Sequence, residues 1–222
     1  MENERRIDRT TSMGMDEHRL SDILHASQIK ATDIYETPPQ IIWIDNSTIA
    51  TLGNFSASTG KAKSKKTFNV SALVAASLAG KQVLNYRAHL PEGKQRILYV
   101  DTEQSRFHCR SVLERILRLA GLPTTTDPEN LDFFCLREYS PSVRIEVIDY
   151  ALRQQKGYGL VIIDGIRDLM LDINNAGESV EVINRMMEWS SRYDLHIHCV
   201  LHLNKGDNNV RGHIGTETVS YT

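Results

Sequence analysis

The residues best suited to chemistry lie in one segment, Gly60-Lys61-Ala62-Lys63-Ser64-Lys65-Lys66-Thr67. It follows the pattern G-x-x-x-x-G-K-[ST], except that Lys65 stands at the position of the second glycine. Successive backbone N–H groups in such a loop can surround a phosphate, and the N-terminus of the next helix adds positive partial charge. We expect Lys66 to bind the outer phosphates of ATP and Thr67 to place its hydroxyl on Mg²⁺.

A basic surface loop is the alternative interpretation of the same segment. Lysine occupies four of the six positions 61–66, which also suits a solvated loop or a patch for nucleic acid. A glycine at the position of Lys65 often has positive φ, so a lysine there costs stability. The segment alone leaves both interpretations open, and the following motifs favour the nucleotide.

A second motif, Gly159-Leu160-Val161-Ile162-Ile163-Asp164, is an apolar run that ends in a carboxylate. Such a run predicts a strand buried on both faces, with Asp164 at its C-terminal edge. Ligands of open α/β sheets bind at that edge. Asp164 is therefore expected to hold Mg²⁺ through a water molecule, although an aspartate before glycine also opens ordinary turns.

A third motif, Arg96-Ile97-Leu98-Tyr99-Val100-Asp101, predicts another buried strand, and Thr102-Glu103-Gln104 follows it. A carboxylate there can orient or deprotonate the water that attacks a γ-phosphate. Glu103 is the candidate for this role. Asp101 is either the alternative candidate or a residue that supports Glu103. The alternative is that both carboxylates only cap the helix that begins near Ser105.

The fourth motif runs from His196 to Lys205 and predicts a strand that ends in polar residues. His202 and Asn204 lie where a side chain could sense the γ-phosphate. Arg211 or Lys205 is expected to reach the nucleotide of a neighbouring subunit, as an arginine finger does.

The alternation of His196 and His198 on one strand face also suggests a metal site. No cysteine or carboxylate nearby has the spacing of a ligand. The sequence therefore favours packed or surface histidines over metal ligands.

Composition places the chain among ordinary α/β proteins. At 222 residues, with 41% hydrophobic and 24% charged residues, one domain with a substantial core is expected. A net charge of −2 excludes a surface that binds polyanions throughout. Three scattered cysteines indicate reduced thiols and a cytoplasmic protein, and no apolar segment suits a signal peptide or a membrane span.

The pattern along the chain predicts a polar N-terminal arm with a helix, residues 1–36, and an α/β domain, residues 37–222. Apolar positions with helical spacing predict the arm's helix over 16–34, packed on its own domain or on a neighbouring subunit. Strand-like runs then alternate with amphipathic segments, which predicts a mostly parallel sheet flanked by helices. A last strand-like run begins at Thr218, so the sheet ends in an edge strand or the domain is truncated.

The other predicted elements can be stated with approximate bounds. They are a hairpin (41–44 and 48–52), helices (68–79, 105–119, 141–155 with Ser140 as cap, and 178–193), strands (83–86 and 131–136) and an irregular loop (166–177).

With these motifs in place, residues 38–215 resemble RecA-like P-loop ATPases, and most of all the RepA-type hexameric replicative helicases of plasmids and mobilisable elements. The matching segments are 60–67, 101–103, 162–164 and 201–205 with 211–212. The resemblance implies a RecA-like core, catalysis by Glu103, Lys66 and Arg211, and ATP with Mg²⁺ as cofactors. It also implies a homo-oligomeric ring whose channel loops grip single-stranded DNA.

Three functions are compatible with these motifs. The first is a Mg²⁺-ATP-dependent DNA motor in replication or mobilisation of a plasmid or mobile element. The second is an ATP-binding assembly or adaptor protein with little turnover, which recruits a helicase or relaxase and is favoured by Lys65. The third is a small-molecule kinase, against which the Glu103 strand and the Arg211 segment argue.

Overall fold

The computed structural model describes residues 17–61, 66–172 and 176–203, and the side chains of Lys61, His202 and Leu203 are outside that description. The chain divides into two units, Met1–Thr37 and Pro38–Thr222. The predictions for positions 62–65, 204, 205 and 211, and for the strand at 218, lie outside the described residues.

The described elements alternate between strands and helices over most of the chain. The helices are α1 (Glu17–Ser27), α2 (Lys66–Ala79), α3 (Arg106–Ala120), α4 (Pro141–Gln154), α5 (Ala176–Arg192) and a 3₁₀ helix (Ile166–Leu169). The strands are β1 (Gln40–Ile44), β2 (Ser47–Thr51), β3 (Phe55–Lys61), β4 (Tyr86–Ala88), β5 (Arg96–Asp101), β6 (Leu131–Cys135), β7 (Tyr158–Asp164) and β8 (His196–Leu203). None of the described helices has the length and apolar character required to cross a membrane.

A five-stranded parallel sheet forms the centre of the second unit, in the order β3-β8-β7-β5-β6. All seven residues of β7 are buried, because helices cover both faces of the sheet. One apolar cluster joins the sheet to α2 and α3, and a second joins the other face to α4 and α5. This confirms the predicted α/β fold with a mostly parallel central sheet, consistent with a RecA-like P-loop core.

A small antiparallel sheet, in the order β2-β1-β4, packs into the first apolar cluster through Ile41 and Ile42. The predicted hairpin of β1 and β2 is confirmed. The strand predicted at 83–86 is wrong: Val83 and Tyr86 exchange two backbone hydrogen bonds around a tight turn, and β4 begins only at Tyr86. Leu84 adopts a φ of 53° in this turn, which is incompatible with a continuous strand.

Helix α1 ends at Ser27, earlier than the predicted end near Ile34. The Asp33 carboxylate accepts a hydrogen bond from the backbone N–H of Lys30 at 2.8 Å. Beyond the helix, this side-chain bond offers the backbone an alternative to helical hydrogen bonds, although apolar residues still recur with helical spacing. No residue of α1 is buried.

The later helices match their predicted positions within a few residues. Val182, Met186 and Trp189 form the buried stripe of α5, as predicted. Ser140 is the N-cap residue of α4 and Pro141 its first residue, as predicted, but the Ser140 hydroxyl lies 3.1 Å from Ser142 Oγ and makes no cap hydrogen bond to the helix backbone. The predicted irregular loop at 166–177 also needs correction, since it contains the 3₁₀ helix and the first residues of α5.

Candidate active site at the C-terminal edge of the sheet

The carboxyl ends of four parallel strands bring the predicted motifs to one edge of the sheet. Asp101 pairs with Asp164 across β5 and β7, and Gly60 pairs with His202 across β3 and β8. Strand β8 lies between β3 and β7, so residue 202 stands between the phosphate-loop strand and the Asp164 strand. One expectation changes: Gly60 and Lys61 belong to β3, because its pairing with β8 continues through both residues.

Lys66 is the first residue of α2 and is only 7% exposed. Its Nζ donates a hydrogen bond of 2.6 Å to the Gly60 carbonyl, which folds the side chain back over the end of β3. Burial lowers the pKa of Lys66, while the negative charges of Glu103 and Asp164 oppose that change. The helix N-terminus therefore presents an ammonium group that shares its surroundings with both predicted acidic residues.

Thr67 follows Lys66 in the first turn of α2 and is half-buried. Its carbonyl accepts a 2.6 Å hydrogen bond from Ser71 Oγ, four residues later in the helix. This bond occupies the Thr67 carbonyl, and the first turn of α2 fixes the position of Thr67.

Asp164 ends β7 and is 3% exposed. Tyr99 donates a hydrogen bond of 2.9 Å from its hydroxyl to Asp164 Oδ2. Burial raises the pKa of Asp164 to about 6; the Tyr99 bond and Lys66 oppose this, and the Asp101 and Glu103 charges reinforce it. A buried carboxylate with so raised a pKa lacks a full counter-charge, and a bound cation would supply one.

The tyrosine that orients Asp164 was not predicted. The Tyr99 ring stacks on Phe133 with centroids 4.3 Å apart, which fixes the direction of its hydroxyl. A buried tyrosine needs a hydrogen-bond partner, and this one lies two residues before Asp101 in a strand that ends at the site. Those two facts are the signal in the sequence that could have identified Tyr99.

The structure separates the roles of Asp101 and Glu103. Asp101 is completely buried, and its Oδ1 accepts hydrogen bonds from the backbone N–H groups of Glu103 (3.0 Å) and Gln104 (2.7 Å). Its Oδ2 accepts a third from the Gln104 amide at 2.9 Å. Asp101 thus holds the turn that follows β5, while the Glu103 side chain is exposed. Helix α3 itself starts with Ser105 at its N-cap, so Asp101 does not cap it.

Thr102 connects this turn to the segment after β7. Its backbone N–H donates to the Asp164 carbonyl at 3.1 Å, and its hydroxyl lies about 3 Å from the Asp164 and Gly165 carbonyls and from Asp168 Oδ2. Gly165 has a φ of 103°, and a Cβ there would lie 2.3 Å from Thr102 Oγ1. Only glycine fits at position 165. The close contact between Thr102 and Gly165 therefore holds together the strand ends that carry Asp101 and Asp164, and the sequence motifs did not reveal this contact.

His196 and His198 are buried and take part in a continuous hydrogen-bond chain. Because a carbonyl only accepts, His196 Nδ1–H donates to the Thr51 carbonyl (2.9 Å), and its Nε2 must accept from Ser56 (2.7 Å). The Ser56 oxygen then accepts from His198 Nδ1–H (2.8 Å), and His198 Nε2 accepts from Ser58 (2.8 Å). Every polar atom in the chain is satisfied with both imidazoles neutral, as expected for packed histidines.

The described residues of the site fit Mg²⁺ and a phosphate chain. Hydroxyl and carboxylate oxygens are the ligands that Mg²⁺ prefers, and Thr67 with the buried Asp164 would supply them. The N-terminus of α2, with Lys66 as its first residue, suits phosphate. Lys66, Asp164 and Glu103 are therefore brought together, as predicted. The side chains of Lys61 and His202, and all of Ala62, Lys63, Ser64, Lys65, Asn204 and Arg211, lie outside the described residues.

Comparison with known proteins agrees with this geometry. No curated protein matches the chain. A family model described as an AAA domain matches residues 20–208, which include every motif discussed above except Arg211. The match covers most of the 222 residues. The chain therefore belongs to the AAA_25 family of AAA domains, a family of P-loop ATPases.

Proposed function

We propose that this protein is a Mg²⁺-ATP-dependent ATPase that acts as a motor on single-stranded DNA during replication or transfer of a mobile element. One observation carries the enzymatic part: the Lys66 ammonium, the buried Asp164 carboxylate and the Glu103 carboxylate share one edge of the sheet and influence one another electrostatically. The DNA-related part rests on the resemblance to RepA-type helicases.

Each described residue has a distinct role in this proposal. Lys66 exchanges its bond to the Gly60 carbonyl for phosphate oxygens and stabilises their charge during transfer. Thr67 and Asp164 would hold Mg²⁺, Asp164 through water, and the ion would supply positive charge against the phosphates. Tyr99 keeps one Asp164 oxygen oriented and so leaves the other for the metal's water.

Glu103 orients the attacking water in this proposal. Its side chain is exposed, and the turn that carries it is fixed by the three hydrogen bonds of Asp101. Because this turn is already rigid, it positions the carboxylate without a further loss of conformational entropy when the reaction occurs. Asp101 is thus a positioning residue, because all three bonds use its oxygens and it is fully buried.

In this proposal His202 or Asn204 senses the γ-phosphate within its own chain. The finger role requires a second copy of the chain, because Arg211, or else Lys205, completes the site of the neighbouring subunit in a homo-oligomeric ring. AAA-type ATPases often oligomerise, which supports this arrangement. Light scattering with and without Mg²⁺-ATP measures the assembly directly, and a monomer under both conditions would leave Arg211 without a site to complete.

Two substitutions test the catalytic assignment. Glu103→Gln should retain ATP binding and lose turnover by about 10²- to 10⁴-fold, because only the water loses its orienting base. Lys66→Ala should instead abolish ATP binding. Binding is measured by titration calorimetry and turnover by phosphate release. The exposed Glu92 provides a matched control, since it lies in the turn that precedes β5, at the opposite end of that strand from Asp101. Normal hydrolysis by the Glu103 variant would refute the assignment.

A second candidate function is an ATP-gated assembly or adaptor protein with little turnover, which recruits a helicase or relaxase. It is favoured by Lys65, which replaces the glycine that the loop pattern requires. The rate of ATP hydrolysis with and without single-stranded DNA separates the two functions. Stimulation by DNA supports the motor, whereas tight ATP binding with no hydrolysis under either condition supports the adaptor.

A further inference from the structure

Two of the three cysteines meet beside the catalytic turn. Cys109 Sγ lies 3.7 Å and Cys135 Sγ 3.3 Å from the same acceptor, the carbonyl oxygen of Gln104. Both side chains therefore converge on one atom of the turn that carries Glu103.

The two thiols come from different elements and differ in exposure. Cys109 lies in the first turn of α3 and is 4% exposed, whereas Cys135 is the last residue of β6 and is half-buried. Cys135 pairs with Asp101 in the sheet, so it lies next to the residue that holds the turn. The third cysteine, Cys199, is buried in β8 and donates its hydrogen bond to Ser56.

We propose that Cys109 and Cys135 form a reversible disulfide beneath the Glu103 turn when the protein meets a peroxide. The convergence of both thiols on the Gln104 carbonyl oxygen, beside the strand pairing of Cys135 with Asp101, carries the proposal. Oxidation removes both S–H donors from the Gln104 carbonyl and ties the start of α3 to the end of β6. The turn that carries Glu103 thus loses two hydrogen bonds at the Gln104 carbonyl and gains a neighbouring covalent constraint.

The reaction proceeds in two balanced steps. The Cys135 sulfur, deprotonated, attacks a peroxide oxygen; the O–O bond breaks, hydroxide leaves, and Cys135 becomes a sulfenic acid. The Cys109 sulfur then attacks the Cys135 sulfur, the S–O bond breaks, and water leaves with the Cys109 proton. Two thiols are oxidised and one hydrogen peroxide is reduced to two waters. Burial and the nearby Asp101 charge raise the pKa of Cys109, which assigns the first attack to the more exposed Cys135.

The bridge is tested on the full chain by thiol labelling and intact mass. When unfolded in denaturant for labelling, the reduced protein should label at all three cysteines. After hydrogen peroxide it should label only at Cys199, weigh less by two hydrogen atoms, and yield a Cys109–Cys135 peptide that dithiothreitol cleaves. Cys135→Ser should prevent the bridge, and Cys199→Ser should preserve it. A bridge to Cys199, a bridge between two chains, or sulfinic acid at Cys135 without a bridge would overturn the proposal.

The effect on activity is measured separately, because it depends on the proposed ATPase function. The bridged protein should hydrolyse ATP several-fold more slowly than the reduced protein, and dithiothreitol should restore the rate. Cys135→Ser should hydrolyse ATP at the same rate before and after peroxide. If the reduced chain does not hydrolyse ATP, the proposed function fails while the mass measurement still decides the bridge. An unchanged rate in a fully bridged protein would refute the link to the turn.

Discussion

Acid should destabilise this protein through its two buried histidines. Burial lowers the pKa of His196 to about 3 and that of His198 to about 4, whereas both groups titrate near 6.5 in an unfolded chain. The unfolded state therefore binds more protons below about pH 6.5, and the free energy of unfolding must fall as the pH falls. Their stabilising effect is complete above that pH and is lost as the pH drops towards 4.

The size of this effect follows from the linkage relation. Between pH 7 and pH 5 each histidine contributes a loss of about 2 kcal/mol, or about 4 kcal/mol for the pair. Asp164 acts in the opposite direction, because its pKa of about 6 in the folded state lies above its ordinary value of 3.8. The folded state then gains a proton that the unfolded state does not bind, which returns about 1 kcal/mol over the same interval. The expected net loss is about 2–3 kcal/mol, a large part of the roughly 5–15 kcal/mol typical of a domain.

Urea unfolding at a series of pH values measures this loss. The fluorescence of Trp189 is a suitable signal, since that side chain is 1% exposed in the core. Nucleotide is omitted and EDTA is added, so that Asp164 titrates without a metal. His198→Gln should reduce the loss between pH 7 and pH 5 by about 2 kcal/mol, because one titrating group is gone. The exposed His89 provides the matched control, and His89→Gln should leave the pH dependence unchanged.

Two outcomes would refute this reasoning. A free energy of unfolding that stays constant or rises from pH 7 to pH 5 would show that the histidines are not neutral and buried in the folded state. Equal pH dependence for wild type and His198→Gln would show that other groups dominate acid unfolding. Either result would also contradict the directed hydrogen-bond chain through Ser56, because that chain requires neutral imidazoles.

Two further substitutions test the contacts around Asp164. Gly165→Ala should destabilise the protein by more than the roughly 1–3 kcal/mol of a left-handed non-glycine residue, because its Cβ also meets Thr102 Oγ1 at 2.3 Å; urea unfolding measures the cost. Tyr99→Phe should raise the pKa of Asp164 further, because the hydroxyl bond that favours the carboxylate is removed. Mg²⁺-dependent nucleotide binding should then weaken at a higher pH than in the wild type, as calorimetry across pH 5–8 would show.

Each of these variants has a control within the chain. Gly93 also has positive φ, at 76°, but a Cβ there would meet nothing within 4 Å. Gly93→Ala should therefore lower the free energy of unfolding only by the cost of a non-glycine residue at positive φ. Tyr158 donates its hydroxyl to Asp132 at 2.6 Å, away from Asp164, so Tyr158→Phe should leave the pH dependence of binding unchanged. Equal costs for the two glycine variants would contradict the clash, and equal pH profiles for the two tyrosine variants would contradict the role of Tyr99.

The strand-end carboxylates could be predicted from sequence because their signal is local. An apolar run fully buried in a parallel sheet must end at the ligand-binding edge, so Asp101 and Asp164 were located by their neighbours alone. The lysine of the phosphate loop was located in the same way, by fixed spacing from Gly60. Spacing in the sequence cannot reveal which carboxylate accepts the hydrogen bonds of the turn. The structure shows that Asp101 accepts all three, which leaves Glu103 as the exposed carboxylate.

The missed features all depend on contacts between distant segments or on one side chain that competes with the backbone. Tyr99 meets Asp164 across 65 positions of sequence, and Thr102 meets Gly165 across 63. Beyond the end of α1, the Asp33 carboxylate binds the Lys30 backbone in a turn, a contact that periodicity cannot register. Hydrophobic pattern therefore predicts which elements exist, while their ends and the supporting residues of the site require the folded chain.

The opposite pKa changes of Lys66 and Asp164 have one physical origin. Each group is withdrawn from water at the sheet edge, and this burial shifts the pKa of each towards its neutral form. Phosphate oxygens would favour the charged form of Lys66, and a divalent cation would favour that of Asp164. Either ligand alone leaves the other group uncompensated, while Asp101 and Glu103 add negative charge that opposes a bare polyanion. Nucleotide and Mg²⁺ should therefore strengthen each other's binding by the same factor, since coupling between two ligands is reciprocal.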